Sequence, residues 1–169
     1  KAAMQYFTQA FLLRRKDPQM YDLFMDIATE ELTHLEIVGT TITMLLDGLN
    51  DDLKQANEVC DWMPLVNTSA GREQIIHQTA VSPLYLALNG GGPGVVDSAG
   101  MPWSGTFVNA NGEPSVDLRS NIAAESRAKI VYEYLKQFTT DPGVQDTLTF
   151  LMTREIAHFQ QFTAALNNL

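Results

Sequence analysis

Apolar residues recur at helical spacing over the first 46 residues of the chain and again from about residue 115 to the end. Within the first of these segments, steps of three and four residues from Met20 define one stripe, a pattern typical of the buried face of a helix. Its members are Met20, Phe24, Ile27, Glu31, His34, Val38, Thr41 and Leu45. A carboxylate and an imidazole therefore stand where apolar side chains are expected.

Two further stripes carry the same kind of interruption. One contains Leu118, Ile122, Glu125, Tyr132 and Leu135, and the other contains Val144, Leu148, Leu151, Glu155, His158, Phe162 and Ala165. A buried ionised carboxylate costs several kcal/mol unless a positive partner compensates it. Inward-facing glutamates and Glu-x-x-His pairs on different helices are the arrangement with which ferritin-like four-helix bundles hold two metal ions. The pattern predicts that Glu31, His34, Glu125, Glu155 and His158 converge on such a centre.

Turn signals divide the chain into four predicted helices. The first covers residues 1 to about 14, with Met4, Phe7 and Phe11 at helical spacing. Asp-Pro pairs at 17–18 and 141–142 predict helix starts, because Asp caps a helix N-terminus and Pro suits the first helical position. The corresponding helices extend to about Leu46 and Asn167, and the remaining helix runs from Ser115 or Asp117 to about Phe138.

Residues 50–114 lose helical periodicity and are rich in Gly and Pro. Within them, 103–108 followed by Asn111-Gly112 predicts a short hairpin. A connection this long fits the crossover between the second and third helices of a bundle. The predicted fold is an all-α, ferritin-like four-helix bundle with a long irregular crossover, forming a single domain over residues 1–169.

The composition of the chain argues against some classes of function. The net charge of −9 disfavours binding to nucleic acid or to an anionic membrane surface. No apolar run reaches the roughly 18 residues that a membrane span requires. The sequence shows no secretory leader, and its single cysteine, Cys60, has no disulfide partner within it. These features favour a reducing, cytoplasmic location. His77 lacks a second ligand at metal-site spacing and is expected to be an ordinary polar residue.

Three segments, Asp26–Glu36, Asn109–Ala128 and Arg154–Phe159, closely resemble the manganese catalases, the non-haem dimanganese enzymes of the ferritin-like superfamily. The resemblance covers the whole chain, loops included. It implies disproportionation of hydrogen peroxide to water and oxygen by two-electron Mn(II)/Mn(III) cycling. It also implies a homo-oligomer, a hexamer in this family.

The resemblance assigns a role to each residue of the predicted centre. Glu31 bridges the two Mn ions, His34 completes the ligands of one ion, and Glu125 and His158 serve the other ion. Glu155 is the catalytic acid and base that relays protons. The family's first ligand is a glutamate about one turn before Lys1, so the sequence is expected to be truncated at that end, and a C-terminal extension of many members is also absent.

Two other functions remain open at this point. A non-catalytic, spore-coat-like structural relative would keep the bundle and serve assembly. A di-iron oxidase or ferritin-type protein would use the same side chains, because oxygen-rich sites with one imidazole per ion suit either Mn or Fe.

Overall fold

Four α-helices account for most of the residues that the computed structural model describes, which are 1–46, 94–96 and 101–169. We number them α1 (Ala2–Leu13), α2 (Pro18–Leu46), α3 (Pro114–Leu135) and α4 (Pro142–Asn167). The chain divides into two compact units, Lys1–Ile37 with Asp97–Leu169, and Val38–Val96. The contacts described below lie within the first unit. The prediction of an all-α, ferritin-like four-helix fold is confirmed.

The helix starts follow the local chemistry of the sequence. The Asp17 carboxylate accepts a hydrogen bond from the Met20 backbone N–H at 3.0 Å, and Asp141 accepts one from Val144 at 2.9 Å. Both Asp-Pro predictions are thus confirmed. The third helix begins at Pro114, slightly earlier than predicted, because Glu113 supplies the capping carboxylate. At its other end, α3 gives way at Leu135 to a 3₁₀ turn that continues to Phe138.

The core of the first unit takes side chains from all four helices. Its buried members are Tyr6, Ala10, Leu13, Met20, Phe24, Ile27, Ala28, Leu118 and Phe162. Phe162 of α4 lies at its centre, with edge-to-face contacts to Tyr6 at 5.0 Å and to Phe24 at 5.4 Å between ring centroids. This geometry is the one that aromatic pairs prefer. The aromatic cluster therefore ties α1, α2 and α4 together beside the predicted centre.

On α1, two of the three apolar residues noted at helical spacing are exposed. Met4 and Phe11 are 41% and 64% exposed, whereas Gln5 and Gln9 are buried. The predicted stripe of α2 is also exposed at its last member, Leu45, and that of α3 at Leu135. Gln5 and Gln9 of α1 can be buried because their amides form hydrogen bonds with buried partners on α3.

These partners form a closed set of hydrogen bonds that we call the amide network: Gln5, Gln9, Asn121 and the backbone of Asn109. Asn121 Oδ1 accepts from Gln5 Nε2 at 2.9 Å and from Gln9 Nε2 at 3.0 Å, while Asn121 Nδ2 donates to Gln9 Oε1 at 2.7 Å. Gln9 Nε2 donates to the Asn109 carbonyl at 2.8 Å, and the Asn109 N–H donates to Gln5 Oε1 at 3.1 Å. The network fixes α1 against α3 one turn before Glu125.

Replacing Asn121 with Leu is expected to lower the free energy of unfolding by about 2–5 kcal/mol, because Gln5 Nε2 and Gln9 Oε1 would be left buried without partners. Urea unfolding measures the loss. Gln160→Leu makes the same kind of change at an exposed position of α4 and is the matched control. Equal stabilities for the two variants would contradict the structural role of the amide network.

The predicted hairpin at 103–112 was wrong for the residues that the structure describes there. Gly105–Phe107 is a 3₁₀ turn capped by Ser104, and Gly112 has a φ of +74°. The Asp117 carboxylate accepts from the backbone N–H groups of Asn111 at 2.8 Å and Gly112 at 3.1 Å, which folds this segment onto the start of α3. Most of the predicted 50–114 crossover, with Cys60 and His77, lies outside the described residues, and the single-domain assignment stays a prediction.

No helix in the described parts of the chain has the length and apolar character needed to cross a bilayer.

Candidate metal centre

The five predicted site residues come together from three helices. Glu31 and His34 lie on α2, Glu125 on α3, and Glu155 and His158 on α4. Four of them, Glu31, His34, Glu155 and His158, each offer one ligand atom, and these atoms all lie within 4.8 Å of one another. Glu125 joins the group through its Oε2, which is 3.6 Å from His158 Nδ1. The convergence that the sequence pattern predicts is therefore present.

Helical spacing explains how each Glu-x-x-His pair reaches one place. Residues three apart in a helix lie on the same face, so Glu31 and His34 point together from α2, as do Glu155 and His158 from α4. The two imidazoles lie nearly parallel, with ring centroids 5.5 Å apart and an interplanar angle of 24°. The two motifs thus face each other across the helix interface.

Both imidazoles direct Nδ1 into the centre. His34 Nδ1 lies 3.2 Å from Glu31 Oε1 and 3.1 Å from Glu155 Oε1. His158 Nδ1 lies 3.2 Å from the same Glu31 oxygen and 4.0 Å from Glu155 Oε2. Glu31 Oε1 is therefore equally near both rings.

Unpartnered polar atoms show that the residues fit a metal centre. Six buried side-chain atoms of the described residues have no hydrogen-bond partner: Glu31 Oε1, Glu125 Oε2, and both ring nitrogens of His34 and of His158. The short separations above are ion-pair distances whose angles do not meet hydrogen-bond geometry. Since buried polar atoms are nearly always paired, a cluster of orphans from carboxylates and imidazoles is the expected donor set of a bound cation.

The electrostatics of the centre also favour a cation. Burial alone lowers the pKa of His34, but the carboxylates of Glu155 and Glu31 outweigh burial and raise that pKa to about 9. Burial likewise opposes the charged form of His158, whereas Glu125, Glu31 and Glu30 together raise its pKa to about 10. The surplus of negative charge that holds protons on these rings would equally attract metal ions.

The two inner carboxylates differ in their surroundings. Burial raises the pKa of Glu155 to about 8, with His34 opposing the shift and Glu125 adding to it. Burial also acts to raise the pKa of Glu31, but His158 and His34 beside it outweigh burial and lower the pKa. Glu155 is therefore the carboxyl of the pair that can hold a proton near neutral pH, whereas Glu31 favours the anionic form.

Sequence reasoning missed Tyr6, which is fully buried and donates a hydrogen bond from its hydroxyl to Glu125 Oε1. Burial, together with Glu125, raises the pKa of this phenol well above its usual range, so the hydroxyl stays a donor. In the sequence, the only sign that Tyr6 is buried was its position directly after Gln5. The sequence analysis did not identify that face of α1 as the buried one. Tyr132, a member of the predicted α3 stripe, is half-buried.

Tyr6→Phe is expected to lower the free energy of unfolding of the metal-free protein by about 1–3 kcal/mol, because Glu125 loses its donor in a buried place. Chemical denaturation measures the change. Tyr134→Phe removes the same hydroxyl from an exposed ring on α3 and serves as the control. An unaltered unfolding free energy for Tyr6→Phe would show that the phenol does not support Glu125.

Glu30, which is not a member of the predicted α2 stripe, borders the centre on its outer side. It accepts hydrogen bonds from Arg154 of α4, through Nε to Oε1 and through Nη2 to Oε2 at 3.0 Å. Its Oε2 also lies 3.1 Å from His158 Nε2. Of the two imidazoles, that of His158 is the nearer to Glu30, since the contact to His34 Nε2 is 3.7 Å.

The helices and the inward-facing glutamates and histidines define a ferritin-like bundle with a carboxylate–histidine metal centre. The family model for manganese-containing catalases matches residues 1–169, and the chain belongs to this family. It is 41% identical to a probable manganese catalase of Clostridium acetobutylicum, over all of this chain and 64% of that protein. The manganese catalase of Bacillus subtilis is 34% identical, with 99% of this chain and 57% of that protein covered.

A solved structure supports the same relation. The crystal structure of KatB, a manganese catalase from Anabaena, superposes with a TM-score of 0.74 at 34% identity, covering 99% of this chain and 64% of that one. Another relative, protein CotJC of Bacillus subtilis, is 30% identical over 99% of this chain and 75% of its own length. The chain thus spans about 57–64% of the curated manganese catalases named above.

Proposed function

We propose that the protein is a dimanganese catalase that converts two molecules of hydrogen peroxide into two of water and one of oxygen. The observation that carries this proposal is the convergence of Glu31, His34, Glu125, Glu155 and His158, whose six buried ligand-type atoms have no hydrogen-bond partner among the described residues. Membership of the manganese-containing catalase family supports it.

The ligand assignment that we propose is the one implied by the family resemblance, and the directions of the side chains support it. Glu31 would bridge two ions through the carboxylate that lies equally near both imidazoles. His34 Nδ1 would bind one ion, and His158 Nδ1 with Glu125 would bind the other. Tyr6 would fix the Glu125 carboxylate from outside by its hydrogen bond to Oε1, leaving Oε2 to face the centre.

When bound, the Mn pair supplies a two-electron couple that alternates between Mn(II) and Mn(III) as it reduces one peroxide and oxidises the next. Cleavage of the O–O bond to give two water molecules consumes two protons, and oxidation of the second peroxide to oxygen releases two. Glu155 is the group placed to hold and return such a proton, because its carboxyl lies inside the cluster, 3.1 Å from His34 Nδ1. Burial of Glu155, at 2% exposure, keeps bulk water from competing for that proton.

Manganese is proposed over iron on the strength of the family, since the donor set alone suits both metals. Elemental analysis of protein purified from its native source distinguishes them. Iron in place of manganese would favour the di-iron oxidase or ferritin-type reading instead.

Oxygen release from peroxide tests the activity. Full-length protein loaded with Mn is expected to evolve one oxygen per two peroxides consumed, measured with an oxygen electrode. A correctly folded, Mn-loaded protein that evolves no oxygen would overturn the catalase proposal. That result would favour the non-catalytic, spore-coat-like alternative, which the presence of all five site residues currently disfavours.

We further propose that the protein self-associates and acts in the cytoplasm. Several large apolar side chains of α1 are exposed in the single chain, including Met4, Phe11 and Leu12 at 41%, 64% and 52%. Contact with a second copy would cover them, and a hexamer is the state that the family resemblance implies. Light scattering of the purified protein tests the assembly, and a monomer would contradict it.

A further inference from the structure

The Glu30–Arg154 ion pair closes the outer side of the metal centre. Both oxygens of Glu30 accept hydrogen bonds from the Arg154 guanidinium. This bidentate geometry is the strongest form of an arginine–carboxylate ion pair. The pair joins α2 to α4, and each partner directly precedes a site glutamate, Glu31 or Glu155, in sequence. About a third of each side chain is exposed, so the pair lies between the solvent and the buried imidazoles.

Glu30 faces the outward nitrogens of both histidines. Its Oε2 lies 3.1 Å from His158 Nε2, and its Oε1 lies 3.7 Å from His34 Nε2. The inward nitrogens, both Nδ1, point at the carboxylates of the centre. A small rotation of the His158 ring would make the Nε2 contact a hydrogen bond, since the distance already suits one.

This arrangement matters for metal binding because an imidazole ligand binds through a nitrogen that carries no proton. A carboxylate that accepts the proton of the other nitrogen fixes the tautomer and the ring orientation, and it makes the ligating nitrogen more basic. Glu30 can act in this way only if its own carboxylate is held in place, and Arg154 holds both of its oxygens.

We propose that Glu30 is the positioning residue for His158, and secondarily for His34, and that Arg154 fixes Glu30 in that role. The pair does not touch the reacting atoms. It acts through the imidazole, by holding Nδ1 toward the metal. The inference rests on the proposed metal centre but assigns a function to two residues outside its ligand set.

The test is the dissociation constant for Mn(II), measured by competition with a chelator in the full-length protein. Glu30→Gln is expected to raise this constant about 10–100-fold, the usual effect of losing such a supporting carboxylate. Arg154→Met is expected to change it in the same direction but less, because the carboxylate remains and only its anchor is lost. Arg154→Lys, which restores one hydrogen bond, should recover part of that loss.

Asp26→Asn is the matched control, because it removes one carboxylate from an exposed position of α2, a turn before Glu30. Its Mn affinity is expected to equal that of the wild-type protein. Electron paramagnetic resonance of the bound Mn(II) pair gives a second readout, which should change in Glu30→Gln and stay unchanged in Asp26→Asn. A merely structural role would instead lower the unfolding midpoint and leave both readouts unaltered.

These measurements distinguish failure of the positioning role from failure of the proposed metal centre. Wild-type Mn affinity in Glu30→Gln, or an equal loss in Asp26→Asn, would overturn the positioning role and leave the catalase proposal intact. If the folded wild-type protein binds no Mn, the proposed metal centre fails, and the positioning role fails with it.

Discussion

Glu155→Gln is expected to keep both metal ions and to lose most of the catalase turnover, by about 10²–10⁴-fold. The substitution preserves the size of the side chain and one of its oxygens, but an amide can neither take up nor release the proton that peroxide chemistry requires. Glu31, His34, Glu125 and His158 remain in place to hold the ions. Metal content by elemental analysis and oxygen release by electrode, measured on the same preparation, separate binding from turnover.

Asp146→Asn, an exposed carboxylate-to-amide change on the same helix, is the control for Glu155→Gln and is expected to retain both metal and activity. A parallel loss of metal and activity in Glu155→Gln would show instead that Glu155 is a metal ligand. The geometry makes this a sharp alternative, because Glu155 is one of the four residues whose ligand atoms lie within 4.8 Å of one another.

The convergence of the five candidate ligands could be predicted from sequence because it depends on residue spacing within single helices. A Glu-x-x-His pair inside an apolar stripe fixes both the helix and the face, so Glu31 with His34 and Glu155 with His158 were identified by spacing alone. Glu125 has no histidine paired with it in its stripe. Its helical spacing from Leu118 and Ile122 was nevertheless sufficient to assign it to the buried face. Helix starts were equally local, since Asp17 and Asp141 each cap a backbone N–H three residues further on.

The parts that could not be predicted depend on partners far along the chain. Gln5 and Gln9 are buried because Asn121, more than a hundred residues away, satisfies their amides. Without that knowledge, Met4 and Phe11 are the better candidates for a buried face of α1. Tyr6 was missed for the same reason, since its partner Glu125 lies 119 residues away.

Glu30 shows a second limit of predictions that are based on helix periodicity. Adjacent residues in a helix differ by about 100° in direction, so a residue next to Glu31 is assigned to the polar face. In the bundle, the residue before each motif on α2 and on α4 lies at the edge of the helix interface, and there Glu30 meets Arg154. Helix periodicity identifies the buried face, but the contacts at its rim depend on how the two helices pack.

Glu31→Gln is expected to cause the loss of both metal ions, whereas replacing a ligand of only one ion would cause the loss of that ion alone. Glu31 Oε1 lies 3.2 Å from Nδ1 of both histidines, so a weakened donor at this position affects the two halves of the centre equally. Metal content should fall from two ions per chain to nearly none, and oxygen release should fall to background. Elemental analysis of the purified variant measures the first, and an oxygen electrode measures the second.

Glu36→Gln, at an exposed position of the same helix, should keep its full metal content and is the control. The metal-free Glu31→Gln protein is expected to remain folded, because the substitution keeps the shape of the side chain and leaves the apolar core of Tyr6, Phe24 and Phe162 unchanged. Circular dichroism of that protein distinguishes loss of metal from loss of fold. Retention of one tightly bound ion would mean that Glu31 serves a single ion, and the bridging assignment would be wrong.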